Sequence, residues 1–264
     1  PPDPHDIQRQ ALAALATSRS DGNHRGLVVL ATGLGKTYLA AFDFRRFSDA
    51  RAPRPTRAAF IAHRREILEQ AAVTFARVLP DARHTWFSDS RSDLTGDVVF
   101  ASVHKLGRPE HLSQLAPDTF DYLIVDEAHH STASTYRRIL AHLTPSFVLG
   151  LTATPDRADQ ADVQGLFNDH TSFRLDLGEG IERGELAPFR YVGVKDTIEY
   201  KTIPWRNRRF DEAQLAAAAQ TEARMETLWG AWNKHPGQRT LVFCCTTAHA
   251  DFARSWLLGK GVRA

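Results

Sequence analysis

Cysteine is almost missing from this 264-residue chain, and the only two, Cys244 and Cys245, are adjacent. Neighbours in an extended segment point to opposite faces, which disfavours a structural disulfide between them. Twelve histidines are present, but no C-x-x-C or H-x-x-x-H spacing offers a ligand set, so no zinc site is expected. No apolar run approaches the ~18–20 residues of a membrane-spanning helix, and no secretory signal is legible at the N-terminus. Net charge is only +2, so affinity for a polyanion has to come from local basic patches. These absences lead to the expectation of a soluble, cytoplasmic protein with no membrane partner. With 42% hydrophobic residues the chain can build a real core, and its length suits one large or two small domains.

The stretch Leu27 to Tyr38 organises the rest. Leu27, Val28, Val29 and Leu30 form a continuous apolar run, the pattern of a strand buried on both faces of a parallel sheet. Thr32-Gly33-Leu34-Gly35 then turns the chain, and Lys36-Thr37 opens an apolar helical pattern. Strand, glycine turn, Gly-Lys-Thr and helix make a phosphate-binding loop. Its glycines let backbone N–H groups approach phosphate oxygens, and a helix N-terminus adds favourable partial charge. Lys36 is expected to neutralise the β- and γ-phosphates, and the Thr37 hydroxyl to complete a Mg²⁺ shell. The strict pattern wants glycine at position 30, where this chain has Leu30.

Further buried strands are expected over Ala58–Ala62, from Val98, from Phe120 and from Phe147, each running into polar residues. The third of these ends in Asp126-Glu127-Ala128-His129. Two carboxylates at a strand's C-terminal end lie where an open parallel sheet binds ligands. There Asp126 can hold Mg²⁺ and Glu127 can polarise an attacking water. The fourth ends in Thr152-Ala153-Thr154-Pro155, which taken alone also fits an ordinary strand-end turn.

Taken in order, Gln8, Thr32 to Thr37, His63-Arg64, Ser102 with His104, Asp126 to His129 and Thr152 to Pro155 resemble the motifs of superfamily-two DEAD/DEAH-box helicases. The branch they resemble is that of restriction-enzyme helicase subunits and XPB-like DNA translocases. The likeness covers nearly the whole chain and is most specific from Leu27 to Pro155. It implies an α/β, RecA-like P-loop NTPase fold with a parallel β-sheet flanked by helices, ATP and Mg²⁺ as cofactors, and nucleic acid, expected to be DNA, as the track. Gln8 then falls to adenine recognition, although His5 and Ile7 stand where the family commonly has arginine and an aromatic residue. Thr32, Gly33, Leu34, Gly35, Lys36 and Thr37 fall to the nucleotide, and Thr37 and Asp126 to the metal. Lys36, Asp126, Glu127 and His129 are the catalytic group, with His129 coupling the nucleotide site to the rest of the domain. His63, Arg64, Ser102 and His104 fall to the nucleic-acid backbone, and Thr152 and Thr154 to coupling.

The last third is less sharp. Gly180 to Phe189 resembles the family's exit from its first motor domain, with a helix ending at Gly184, so a first domain is expected over residues 1–187. Residues 188–264 are then expected to form a partial second RecA-like domain. Strands are expected at Tyr191–Tyr200 and Arg239–Cys245 (RTLVFCC), a helix over Asp211–Trp232 and another from Thr246. Trp205 to Phe210 is a basic loop with aromatic ends, suited either to gripping a strand or to lying solvated with its tryptophan packed down. The family's two late arginines have no counterpart here, so the chain is expected to bind ATP but turn it over weakly, as part of a longer protein with further domains. The alternatives are a nucleotide-gated nucleic-acid clamp without unwinding activity and a small-molecule P-loop kinase. The Asp-Glu-Ala-His and Thr-Ala-Thr-Pro motifs speak against the kinase.

Overall fold

Short apolar runs buried on both faces build the main sheet. In the computed structural model, residues 2–126, 133–153, 165–167, 170–196, 198–206, 209–234 and 239–263 are described. The chain divides into two compact units between Pro188 and Phe189. In the first, α1 (Asp6–Ser20), β1 (Arg25–Leu30), α2 (Lys36–Asp49), β2 (Ala58–Ala62), α3 (Arg65–Val78), β3 (His84–Ser88), β4 (Arg91–Ser92) and β5 (Val98–Ser102) follow one another. Then come α4 (Val103–Leu106), α5 (Pro109–Leu112), β6 (Tyr122–Asp126), α6 (Ala133–His142), β7 (Phe147–Thr152), β8 (Thr171–Leu175) and α7 (Leu177–Glu182).

The eight strands lie in the order β4-β3-β5-β2-β6-β7-β1-β8. Every neighbouring pair is parallel except β3–β4, so the expected parallel sheet carries one short antiparallel edge strand. Side chains alternate across it. Val28, Phe60, Phe100, Ile124 and Leu149 face a core shared with α1, α2 and α3. Val29, Ile61, Val99, Val125 and Val148 face a second core shared with α4 and α6. Phe75 of α3 meets Phe60 and Phe100 edge-on at 5.8 and 5.7 Å, the favoured geometry of aromatic pairs. Gly150 is required by its neighbour: a Cβ there would lie 2.3 Å from the Phe167 ring.

Two elements are tied to the sheet by one buried charge. Asp43 of α2 is fully buried and accepts both guanidinium nitrogens of Arg19, at 2.6 and 2.8 Å. It also accepts the hydroxyl of Tyr122 on β6, and the Arg19 guanidinium lies 4.8 Å from the Phe147 ring centre. Burial, and then the neighbouring Asp43 carboxylate, holds the Tyr122 phenol well above its ordinary range, so it stays a donor. A carboxylate this deep is tolerated because its oxygens are satisfied by a charged fork and a hydroxyl.

Several sequence expectations need correcting. The apolar face that the spacing of Leu12, Leu15 and Ala16 predicts for α1 holds at Leu12 and Leu15, but Ala16 is exposed, and Ile7, Gln8, Ala11 and Ser18 complete the buried face. Among its described residues, the second unit contains neither expected strand. Residues 191–196 are irregular, with Tyr191 86% exposed, and 239–245 are irregular too, with Leu241 85% and Phe243 91% exposed. A strand exists only through hydrogen bonds to a neighbour. Among the described residues, this unit's one ladder is the ribbon of β9 (Trp205–Arg206) and β10 (Arg209–Phe210), leaving those apolar runs without a sheet to join. The expected helix over 211–232 is two, α8 (Glu212–Ala219) and α9 (Glu222–Lys234), and α10 (Thr247–Gly259) begins where Thr246 caps the His249 N–H at 3.1 Å. Asp196 anchors this unit by accepting Arg224 at 3.0 and 2.8 Å and the Tyr200 hydroxyl at 2.7 Å. Desolvation opposes its charge, but those donors hold its pKa at about 2.

Replacing Asp43 by alanine leaves Arg19 and the Tyr122 hydroxyl facing a gap. A loss of about 3 kcal/mol is expected in denaturant unfolding, at the low end for a broken buried pair because Arg19 keeps some solvent contact.

Candidate functional site

Parallel pairing sends the C-terminal ends of β3, β5, β2, β6, β7, β1 and β8 to one edge of the sheet. Along that edge stand Ser102 at the end of β5, His63-Arg64 after β2, Asp126 at the end of β6, Thr152 at the end of β7 and the glycine turn after β1. β6 and β1 flank β7, with Asp126 in register with Leu151 and Val29 with Thr152. At 4.7–4.9 Å per step, their backbones are about 10 Å apart.

The turn after β1 has the shape of an anion cradle. Gly33 and Gly35 adopt φ of +96° and +75°, and Gly35 immediately precedes the first turn of the 14-residue α2. Lys36 and Thr37 are the first two residues of that helix, both partly exposed. The Lys36 ammonium donates to the Leu30 carbonyl at 3.0 Å, folded back along the loop it closes. Leu34 is buried, whereas Thr32 and Gly33 are exposed.

Gln8 is latched to this loop. Its amide nitrogen donates to the Gly35 carbonyl at 3.2 Å, and its amide oxygen accepts the His5 N–H at 3.1 Å. The His5 ring reaches the Leu34 carbonyl at 3.3 Å. His5, at the position where the family commonly has arginine, is thus a contact to the loop. Ile7, the other departure from the family pattern, is buried in the core under α1.

Asp126 is buried, and its carbonyl accepts the Tyr136 hydroxyl of α6 at 3.4 Å. Thr152 is also buried at its strand end. Glu127, His129 and Thr154 lie outside the described residues. Arg64 is exposed as the residue before α3, His63 is partly exposed beside it, and Ser102 precedes α4, which carries an exposed His104. Sequence reasoning missed Lys105, one residue on. Its ammonium donates to the Asp89 carbonyl at 2.8 Å, the Arg91 carbonyl at 2.7 Å and the Ser92 hydroxyl at 2.8 Å, fastening the β3–β4 hairpin beside α4.

The donor set fits a nucleoside triphosphate with a hard divalent cation. The cradle is formed by two left-handed glycines, and a Cβ on Gly35 would come within 2.5 Å of the Gln8 amide nitrogen. A lysine and a threonine open the helix behind it, and an aspartate stands two strands away on the same edge; hydroxyl and carboxylate oxygens are the ligands such cations prefer.

Comparison with known proteins gives the family and the fold. The family described as "Type III restriction enzyme, res subunit" matches residues 2–157. The chain is similar to the type I restriction enzyme EcoAI endonuclease subunit of Escherichia coli, at 28% identity over 281 residues, covering 97% of this chain and 34% of that protein. It is also similar to the putative mitochondrial ATP-dependent helicase irc3 of Schizosaccharomyces pombe, at 29% identity over 253 residues, covering 92% of this chain and 41% of that protein. The chain therefore spans well under half the length of either relative. Among solved structures, a nuclease-deletion mutant of the Type ISP restriction-modification enzyme LlaGI, in complex with a DNA substrate mimic, superposes with a TM-score of 0.55 at 19% identity, covering 89% of this chain and 23% of that one. The UvsW helicase of bacteriophage T4 superposes with a TM-score of 0.51 at 18% identity, covering 66% and 60%. The fold is RecA-like.

Gly35→Ala is expected to lower stability by about 1–2 kcal/mol from the left-handed backbone alone, with a further loss from crowding Gln8. In denaturant titrations, the double variant with Gln8→Ala should lose less than the sum of the two single variants.

Proposed function

Because this chain belongs to the family of type III restriction enzyme res subunits, we propose that it is the ATP-binding part of a nucleic-acid-dependent ATPase motor, a helicase or translocase whose track is DNA. The observation that carries this reading is the single sheet edge on which the glycine cradle of β1, Asp126 of β6 and the polar ends of β2 and β5 succeed one another. A motor needs its fuel site and its track contacts on one rigid element, so that a change at one alters the other.

In this proposal the backbone N–H groups of residues 33–37 and the Lys36 ammonium hold the β- and γ-phosphates of ATP, with Gln8 contacting the adenine. Thr37 and Asp126 are the residues that would hold Mg²⁺, which when bound neutralises phosphate charge. Glu127 accepts a proton from the attacking water and orients it, and His129, Thr152 and Thr154 connect that site to the track. The latch from Gln8 to Gly35 keeps the cradle formed before any ligand arrives, which lowers the ordering cost of binding. His63, Arg64, Ser102 and His104 position the nucleic-acid backbone. Phosphate contacts of this kind fix register and carry no sequence information. The second unit is proposed to be part of a second RecA-like domain.

Lys36→Ala is expected to weaken binding of a fluorescent ATP analogue at least about tenfold, the loss of one charge-assisted contact to phosphate. Glu127→Gln should keep that binding while removing any hydrolysis stimulated by DNA. Unchanged analogue binding in the first variant, or undiminished stimulation in the second, argues against the motor assignment.

A further inference from the structure

Beyond β5 the same sheet edge continues to β3, where a second set of anion-seeking groups gathers. Ser88 of β3 pairs with Arg91 of β4, so Asp89 and Ser90 form a two-residue hairpin turn with Asp89 at φ +44°. Between this turn and the start of α3 lies a cavity of about 100 Å³ lined by Arg65, Trp86, Ser88, Asp89, Ser90 and Arg91. It offers two guanidinium groups and two hydroxyls against one carboxylate, that of Asp89, which lies on the Arg65 side, and its volume suits a phosphate group and is too small for a nucleoside. Arg65 already answers to Glu69 at 2.8 Å and lies 4.0 Å from Asp89. Arg91 is different. It is exposed, has no acidic partner among the described residues, and is held over the Trp86 ring at 5.0 Å. A guanidinium held over an aromatic face keeps its charge, and its forked donors can meet two oxygens of a phosphate.

The turn is held partly from outside its own sequence. Asp89 holds a backbone conformation that L residues seldom adopt, and Lys105 spends its three donors on the hairpin's two carbonyls and the Ser92 hydroxyl. The same lysine belongs to α4, which carries His104. Hairpin and α4 are therefore one body. Reading outward along the edge, Arg64 follows β2, Ser102 and His104 follow β5, and the hairpin follows β3, each one strand, about 5 Å, beyond the last.

We propose that this cavity binds a backbone phosphate of the nucleic-acid strand, with Arg91 as its principal cation and the Ser88 and Ser90 hydroxyls as donors, extending the track one strand past Ser102 and His104. This rests on the nucleic-acid reading of the edge given above. The contact is to phosphate, so it adds affinity without base preference and depends on salt.

The test is fluorescence anisotropy of a labelled single-stranded DNA 20-mer, titrated across a series of KCl concentrations with the 264-residue chain and its R91A, S90E and R64A variants. R91A is expected to weaken binding about 3- to 10-fold and to reduce the slope of log K against log salt by about one. S90E, which places a carboxylate at the cavity mouth without removing a stacked side chain, should weaken binding at least as much, with melting temperatures matching the parent. If R64A loses affinity while R91A and S90E bind with the parent's affinity and salt slope, the cavity is not a phosphate site and the rest of the edge stands. If the parent chain shows no salt-dependent binding even at low ionic strength, the nucleic-acid reading fails and the cavity proposal fails with it.

Discussion

Parallel hydrogen bonding is the constraint on which the molecule depends. A parallel neighbour requires a crossover over one face of the sheet, so each strand is covered on both sides and must be apolar along its length. Polar groups are left only where strands end. With all but β4 of the eight strands running the same way, those ends fall on one edge. The glycine cradle, Asp126, Thr152, Arg64 and Ser102 are spread over more than a hundred residues of sequence, yet they become neighbours because each follows the C-terminal end of a parallel strand. The buried Arg19–Asp43–Tyr122 contact supports this indirectly: it fixes α1 and α2 to β6 and so sets the height at which the cradle stands.

Strands such as β1, β2, β6 and β7 were legible in the sequence because burial on both faces writes itself as an unbroken apolar run. The cradle was legible because phosphate binding demands glycines and a lysine at fixed spacing. β3 and β8 were not. His84–Ser88 and Thr171–Leu175 mix polar and apolar residues, since one lies beside the short edge strand β4 and the other is itself an edge, where one side of the ladder needs no buried partner. The role of Lys105 was also hidden. A lysine that satisfies three groups of a hairpin more than ten residues away has no local signature, and only the fold brings them together.

The second unit shows the converse error. Arg239–Cys245 has strand composition, and composition alone suggested a strand. Pairing decides the matter, and the described part of this unit supplies only a two-residue ribbon. What orders it instead is helix packing and polar contact: Trp229 against Trp232 and Trp256 at 5.1 and 6.1 Å, and the carboxylate of Asp196 gripped by Arg224. Its aromatic ribbon likewise satisfies itself, with Trp205 and Phe210 meeting edge-on at 4.6 Å.

The first helix is pinned at both ends. Gln8 near its start holds the Gly35 carbonyl, and Arg19 near its finish holds Asp43 under the sheet. Eleven helical steps separate them, about 16 Å of stiff rod. Tilting that rod by one degree about its deep anchor carries the shallow one only about 0.3 Å, a tenth of a hydrogen-bond length. The cradle is thus braced by a strut whose far foot, Asp43, stands on α2 itself, eight residues beyond Gly35, so α1 and α2 are fastened to each other at both levels and a shift of the Gly35 carbonyl that breaks its bond to Gln8 has to move the loop against α1.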